Sequence, residues 1–533
     1  MKKYFLIAIA TLFLGSCLDE NPRDRLNEEE VLNASNLYQN TIGSLYNYIG
    51  GNADSQGLQG TARGVYDICT FTTDEAMLPT RGGDWYDGGL WMALHTHLFL
   101  PSLQPFEGTW NYLYKVIVNC NQAIEDINRF YAFDSMASPR TKYVAEARAI
   151  RAMYYYYLLD LFGNVPMVVT TDISMDNATQ MSRSLLFNSI YAELEELLPL
   201  LEETRSNVRG EYYGRVTRPV AWFLLAKMAL NAEIWLDDDP TDNLHPIGSD
   251  TLLDCEGTKL NAWEACLYWC DKLTKFGYRL ESDYASNFIV YNENSQENIF
   301  TIPLDKDLYT NTFKNLFRSR HYNHGIALGM DAENGTCATV STVLTYGYGT
   351  DQLDNRYNIN FYSDTLRVDG KIVYLDNGEP LVYMPLEVKL DLTGSPYEKT
   401  AGARMSKYEI DRTAYSDGLL QDNDIVLFRY ADILLMKSEA KVRNGQNGDA
   451  ELNAVRSRVG MGPRTATLDN LLDERLMELA WEGWRRQDLI RFGRYHEITK
   501  NTIIDESDAH TTLFPIPGRA LSLNSNLKQN PGY

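Results

Sequence analysis

The stretch from Thr80 to Trp91 reads TRGGDWYDGGLW and carries the densest chemistry in the chain. Arg81 brings a rigid fork of donors, and Asp84 brings acceptor oxygens. Trp85, Tyr86 and Trp91 bring flat apolar rings with polar edges. That set suits a neutral, hydroxyl-rich ligand such as a sugar. Ring faces cover the apolar faces of the sugar, and polar groups bond its hydroxyls. Gly82, Gly83, Gly88 and Gly89 allow tight turns, and the aromatics follow no core period. An ordered loop is therefore predicted, inside a ligand-side segment 66–105. The competing assignment puts Trp85 or Trp91 in the core under a glycine-rich turn.

A second strip of candidates lies further on: Tyr284, Phe288 and Tyr291, then His321, Tyr322 and Asn323, then Tyr346 and Tyr348. Of these, Tyr291, Tyr322 and Asn323 join the loop residues as candidate contacts. Other chemistries find less support. A glycosidase needs two carboxyl groups about 5–9 Å apart across a cleft, and no linear signature selects two of the 72 acidic residues. There is no Gly-x-Ser-x-Gly elbow, no His-Glu-x-x-His and no phosphate loop. Cys266 and Cys270 share a helix face without the partners that zinc requires. Asp354, Asp422 and Asp424 are oxygen-rich loop residues, but no EF-hand spacing surrounds them. No cofactor is predicted, and a structural calcium stays unassigned.

The elements that hold these residues are helical. In 424–495, Ala431, Leu434, Leu435, Ser438 and Val442 recur at helical spacing, then Leu472, Leu476, Leu479 and Ala480. Three consecutive helices are predicted there, with Glu482 and Arg486 spaced to pair on the last. Further helices are predicted over 27–49, 107–130, the AEARAIRAMYYYYLLDL stretch, 183–201, from Thr217, and 261–275. Paired helices of this kind cannot bury their apolar faces alone and must stack. From 280 to 423 the language changes to Asn, Gly, Asp and Tyr, with short apolar runs in NIFTIPL, KIVYL and LVYMPLEVKLD that suit short strands.

Charge and targeting bound the function. The 533 residues carry a formal charge of −23, so nucleic acid is repelled and is not a predicted partner. Lys2 and Lys3 precede a short apolar run to Leu14, which has the layout of an export signal. The run ends in Leu14-Gly15-Ser16-Cys17, which resembles a bacterial lipobox with Cys17 as the lipidated residue. Asp19-Glu20 resembles an acidic surface-export signal.

These pieces, in this order, resemble the SusD/RagB-type family of outer-membrane nutrient-binding lipoproteins. The resemblance rests on Cys17, 145–168, 215–230, 428–440, 474–493, LFPIP at 513–517 and LKQNPGY at 527–533. The chain departs from it at Gly518-Arg519-Ala520, where the family often has Glu. The resemblance implies a mostly α fold: a right-handed tetratricopeptide-like helix-pair scaffold with an inserted irregular α/loop subdomain containing short strands. The expected organisation is a signal peptide (1–16), a lipidated Cys and tether (17–29), and a scaffold (30–279). The insert (280–423) and C-terminal helical units with a docked tail (424–533) follow. It also implies a non-catalytic, cell-surface lipoprotein of the outer membrane. Such a protein captures oligosaccharide or polysaccharide for a partner TonB-dependent transporter. Peptide or protein cargo, and a purely structural lid, are the alternatives; a glycoside hydrolase is a remote one.

Overall fold

The computed structural model describes residues 36–52, 54–132, 138–242, 244–415, 420–497 and 509–533. The predicted signal segment, Cys17 and the tether lie outside the described residues. Nine helices carry the argument: α1 (Gln104–Phe130), α2 (Ser138–Leu161), α3 (Arg183–Leu197), α4 (Arg218–Leu230), α5 (Ala262–Phe276), α6 (Tyr430–Arg443), α7 (Asp449–Arg458), α8 (Leu468–Leu479) and α9 (Arg485–Arg491). Each packs on the next in sequence, so the array grows by sequential neighbours.

The tyrosine run in α2 shows how burial overrides local preference. Tyr154, Tyr155, Tyr156 and Tyr157 favour strands by type, yet all four are buried in the middle of the helix. Three of the hydroxyls find protein partners rather than water. Tyr112 and Tyr154 share a hydrogen bond of 2.8 Å, Tyr155 donates to the Val168 carbonyl at 2.9 Å, and Tyr156 bonds Gln487 at 3.3 Å. Burying an aromatic without such a partner would be costly.

Helices α5 and α6 pack together although some 150 residues separate them in sequence. The chain leaves the array after α5, builds the irregular block and returns. Two antiparallel strands close the neck: β1 (Asn298–Ile302) against β2 (Ile425–Arg429), both wholly buried. The remaining strands are short two-stranded pieces, and most lie within the block.

Three expectations need correction. The segment from Asp424 is not helical from its start. Ile425, Val426, Phe428 and Arg429 pair with β1, and the helix begins at Tyr430. A run of β-branched and apolar residues buried on both faces fits a strand better than a helix. The last predicted helix is broken: Trp481 (φ 68°) and Gly483 (φ 76°) adopt left-handed backbone between α8 and α9. Glu482 therefore does not pair with Arg486. It takes Arg429 and Lys407, and Arg486 reaches Asp160 at 3.2 Å. Segment 66–105 is also not all loop, since it holds the short helices Val65–Thr70 and Leu90–His95.

A buried ion cluster joins the block to the array. Glu478 of α8 accepts from Arg429 at 2.6 Å, from Arg356 at 2.8 Å and from Arg458. Arg356 also bonds Asp354 and Glu474, Arg429 also bonds Glu297 and Glu482, and Lys407 bonds Glu482 at 2.5 Å. The tail docks through Phe514, which stacks on Phe106 at 4.7 Å. Asn530 ties it down by donating to the Phe162 and Phe514 carbonyls. All six described cysteines are buried free thiols, with Cys266 and Cys270 sulfurs 4.0 Å apart. No described helix is long and apolar enough to cross a membrane.

The carboxylates considered for calcium are otherwise engaged. Asp354 pairs with Arg356 and Asp422 with Lys306, while Asp424 accepts from Tyr213, Thr301 and the Leu304 N–H. Among the described residues no group of three acidic, His or Cys side chains could hold a metal. Asp424 sits just before β2, and burial lifts its carboxyl to about 7. A group raised in the folded state stabilises below its unfolded value and loses that contribution as pH rises through the folded one. Stability should thus fall between about pH 4 and 7, and Asp424→Asn should flatten that slope in urea titrations. Glu75, lifted to about 7 by burial, keeps part of it. An unchanged slope in the variant would refute the assignment.

Candidate functional site

The 81–91 loop is held from below and open above. Arg81 is fully buried, and its guanidinium donates to the carbonyls of Gly335 (3.2 Å), Glu398 (3.1 Å) and Ala401 (2.9 Å). It staples the loop to two distant segments and has no donor face left for a ligand. Trp91 is likewise buried, edge-on to Phe71 at 5.6 Å, with its N–H given to Asp87 at 2.7 Å. As ligand contacts, these two expectations are corrected. Their types were right for a sugar, but backbone carbonyls and the core claimed them first. For Trp91 the competing core assignment holds.

Asp84, Trp85 and Tyr86 are on the other side of this anchor. Trp85 is half-buried with φ 63°, a left-handed conformation that is costly for a bulky residue. Its N–H donates to the Glu333 carbonyl at 3.0 Å. One ring face is closed by Gly335, where even a Cβ would come within 2.9 Å of the indole. Glycine at 335 is thus what allows the ring to lie flat there. Tyr86 is 59% exposed.

Tyr322 and Asn323 begin the short helix Tyr322–Leu328, whose N-cap is His321. The structure brings them to the loop. Tyr322 donates its hydroxyl to Asp84 at 2.9 Å, and Lys399 reaches the same oxygen at 2.8 Å. The hydrogen bond from Lys399, with that from Tyr322, holds the Asp84 carboxyl below its ordinary range. Asn323 donates to the Tyr374 carbonyl at 3.1 Å and to Asp376 at 2.8 Å. Tyr374 is itself exposed, and sequence reasoning missed it. It follows KIV in a run taken only as strand, and nothing in its spacing marks it out.

The remaining strip residues scatter. Tyr284, Phe288, His321 and Tyr346 are buried. Tyr348 is half-buried and donates to Asp364 at 2.6 Å. Tyr291 is exposed, but its partners are Asp422 and Arg209, neither of which belongs to the 81–91 loop.

A cavity of about 710 Å³ borders the same segment from another direction. Met77, Met92, His95, Val388, Leu472 and Leu489 line it, with the Asp74–Arg485 pair. No exposed aromatic ring faces it, and burial keeps the His95 pKa low. Its lining mixes these apolar side chains with charged ones such as Lys389, Asp391, Asp473 and Arg494, and carries no tyrosine or tryptophan ring like those of the Trp85 patch.

Comparison with known proteins adds the family. Residues 351–533 match the profile described as "SusD family", and residues 65–230 match one described as "Starch-binding associating with outer membrane". The chain belongs to the SusD family. The second matched range contains the whole 81–91 loop. The starch-binding protein SusD of Bacteroides thetaiotaomicron is 24% identical over 429 residues, covering 73% of this chain and 72% of that one. A SusD-like protein of Formosa agariphila is 23% identical and aligns over the full length of both chains. Among solved structures, surface glycan-binding protein A of B. thetaiotaomicron, in complex with laminarihexaose, superposes with a TM-score of 0.70 at 19% identity. That match covers 93% of this chain and 99% of the other. A laminarin-binding SusD-like protein gives 0.68 at 18% identity over 94% and 100% of the two chains. SusD family members are outer-membrane-associated, non-catalytic glycan-binding proteins.

Proposed function

We propose that this chain is a lipid-anchored, surface-exposed glycan-binding protein that captures oligosaccharide or polysaccharide and hands it to a TonB-dependent outer-membrane transporter. The observation that carries the reading is that three exposed tyrosines, Tyr86, Tyr322 and Tyr374, belong to segments that hydrogen bonds tie to the loop of the half-buried Trp85. Asp84 is locked between Lys399 and Tyr322, so the polar edge of the patch is already ordered before ligand arrives. Pre-ordering lowers the entropy lost on binding. An open patch of rings with ordered polar groups fits a chain-like neutral ligand. It lacks the enclosing walls of a small-molecule pocket. The stacked helix pairs are read as tetratricopeptide-like units that present this patch. Anchoring through Cys17 follows from the lipobox alone. The ligands that two relatives are named for, starch and laminarin, make glucans the first class to test.

The test is retention of the purified chain in native gels cast with neutral polysaccharides, laminarin and starch included. Retention by at least one is expected. Tyr322→Ala should weaken it by about threefold to tenfold, the range for losing one exposed ring contact. Migration unchanged by every polysaccharide would defeat the proposal, as would degradation of one at enzyme-like rates.

A further inference from the structure

A second exposed aromatic patch lies in the inserted block, built from other segments. Tyr291, Leu308, Tyr309 and Tyr415 are all exposed, Leu308 at 74%. One polar thread ties them together. Asp422 accepts from the Tyr291 hydroxyl at 3.0 Å and also binds Lys306, through its backbone N–H at 2.9 Å and its ammonium. The next residue, Asp307, accepts from the Tyr415 hydroxyl at 2.9 Å. Arg209 lies 6.0 Å over the Tyr291 ring and pairs with Glu293. Tyr291 and Tyr415 are therefore pinned by their hydroxyl ends, and Arg209 covers one face of Tyr291.

Two features separate this patch from a stray group of surface tyrosines. Tyr291 holds φ 60°, and among the described residues Trp85, Tyr291 and Trp481 are the Trp, Tyr or Phe residues with left-handed backbone. Trp481 is buried at the end of α8, so the two that reach the surface each sit in an open aromatic patch. Such a conformation costs free energy and persists where the surroundings enforce it, often at functional sites. Lys306 pairs with Asp422 and Arg209 with Glu293, while Asp305 and Asp307 add further carboxylates, so the patch disfavours an anionic partner. A groove of about 550 Å³ lies between the helix that begins at Tyr322 and the segments next to Tyr291. His324 and Leu328, on the helix that begins at Tyr322, line it together with Ile289 and Glu409, which flank the approach to Tyr291.

We infer that the Tyr291–Tyr309–Tyr415 patch is a second contact for the same neutral glycan chain, which crosses this groove from the Trp85–Tyr322 patch. This rests on the glycan-binding reading. It predicts a dependence on chain length, because two contacts on one polymer add through effective concentration and one contact on a short sugar cannot. The experiment compares wild type, Tyr291→Ala/Tyr415→Ala and Tyr322→Ala. Each is titrated with trisaccharides of laminarin and starch and with the two intact polysaccharides. The double variant should bind the trisaccharides as wild type does and lose about tenfold or more in affinity for the polymer. Tyr322→Ala should lose both. Should wild type bind neither polymer, the glycan reading itself fails. Tyr322→Ala weakened but the double variant intact on polymer would overturn the second contact alone. So would a double variant that keeps polymer but loses the transporter in co-purification, which would mark the patch as a protein interface. Tyr415→Ala alone, at an exposed position, gives the same readout at reduced size if the double variant does not fold.

Discussion

Glu478→Ala is expected to destabilise the protein by about 3–5 kcal/mol, the cost of leaving buried charge unpaired. One carboxylate here serves three guanidinium groups, those of Arg356, Arg429 and Arg458. The carbonyl of the same residue accepts from Lys407 at 3.1 Å, Arg429 at 2.6 Å and Tyr284 at 3.1 Å. Removing the side chain strands positive charge that is almost wholly out of water. Glu478→Gln keeps the volume and tests charge alone. The arginines hold the Glu478 carboxyl well below its usual range, against the burial that would raise it. Its contribution is complete above the unfolded value of about 4.5 and is lost as pH falls below that. Urea midpoints measured from pH 7 down to 3 should drop more steeply for wild type than for Glu478→Gln. A cost under about 1 kcal/mol for the Ala variant would mean the cluster is not the joint it is taken to be.

Trp85→Ala is expected to lower polysaccharide affinity by at least about tenfold, as for a central aromatic anchor. Two effects add. The exposed part of the half-buried indole is lost, and so is the body that packs 6.4 Å from Trp91 and against Gly335. Tyr86→Ala separates them. Tyr86 is 59% exposed, so its removal should lower affinity about threefold without moving Tm. Parallel losses of affinity and Tm in both variants would mean the loop matters only as packing.

What was legible in the sequence divides along a physical line. The long helices were readable because they repeat an apolar face: α1 carries Tyr112, Val116, Cys120, Ala123 and Ile127 inward, as the spacing requires. The break at Trp481–Gly483 was not, because it is enforced from outside. Glu482 is drawn to Arg429 and Lys407, which lie 53 and 75 residues away. The site followed the same rule. Asp84, Trp85 and Tyr86 stood out by type, and Tyr322 by its place in a polar run. Arg81 looked like a ligand fork because nothing local shows that its carbonyl partners arrive from residues 335, 398 and 401. Type announces what a side chain can do, and distant backbone decides whether it is free to do it.

The paired strands at the neck carry an evolutionary corollary. The two ends of the irregular block emerge side by side, so a different block with adjacent termini could be spliced there without altering the path of α5 or α6. Cargo preference could then change by exchange of a cassette while the helical array is inherited intact. Arg356 and Lys407 set the toll on such an exchange. A replacement cassette without them would leave Glu474, Glu478 and Glu482 to Arg429, Arg456 and Arg458 alone.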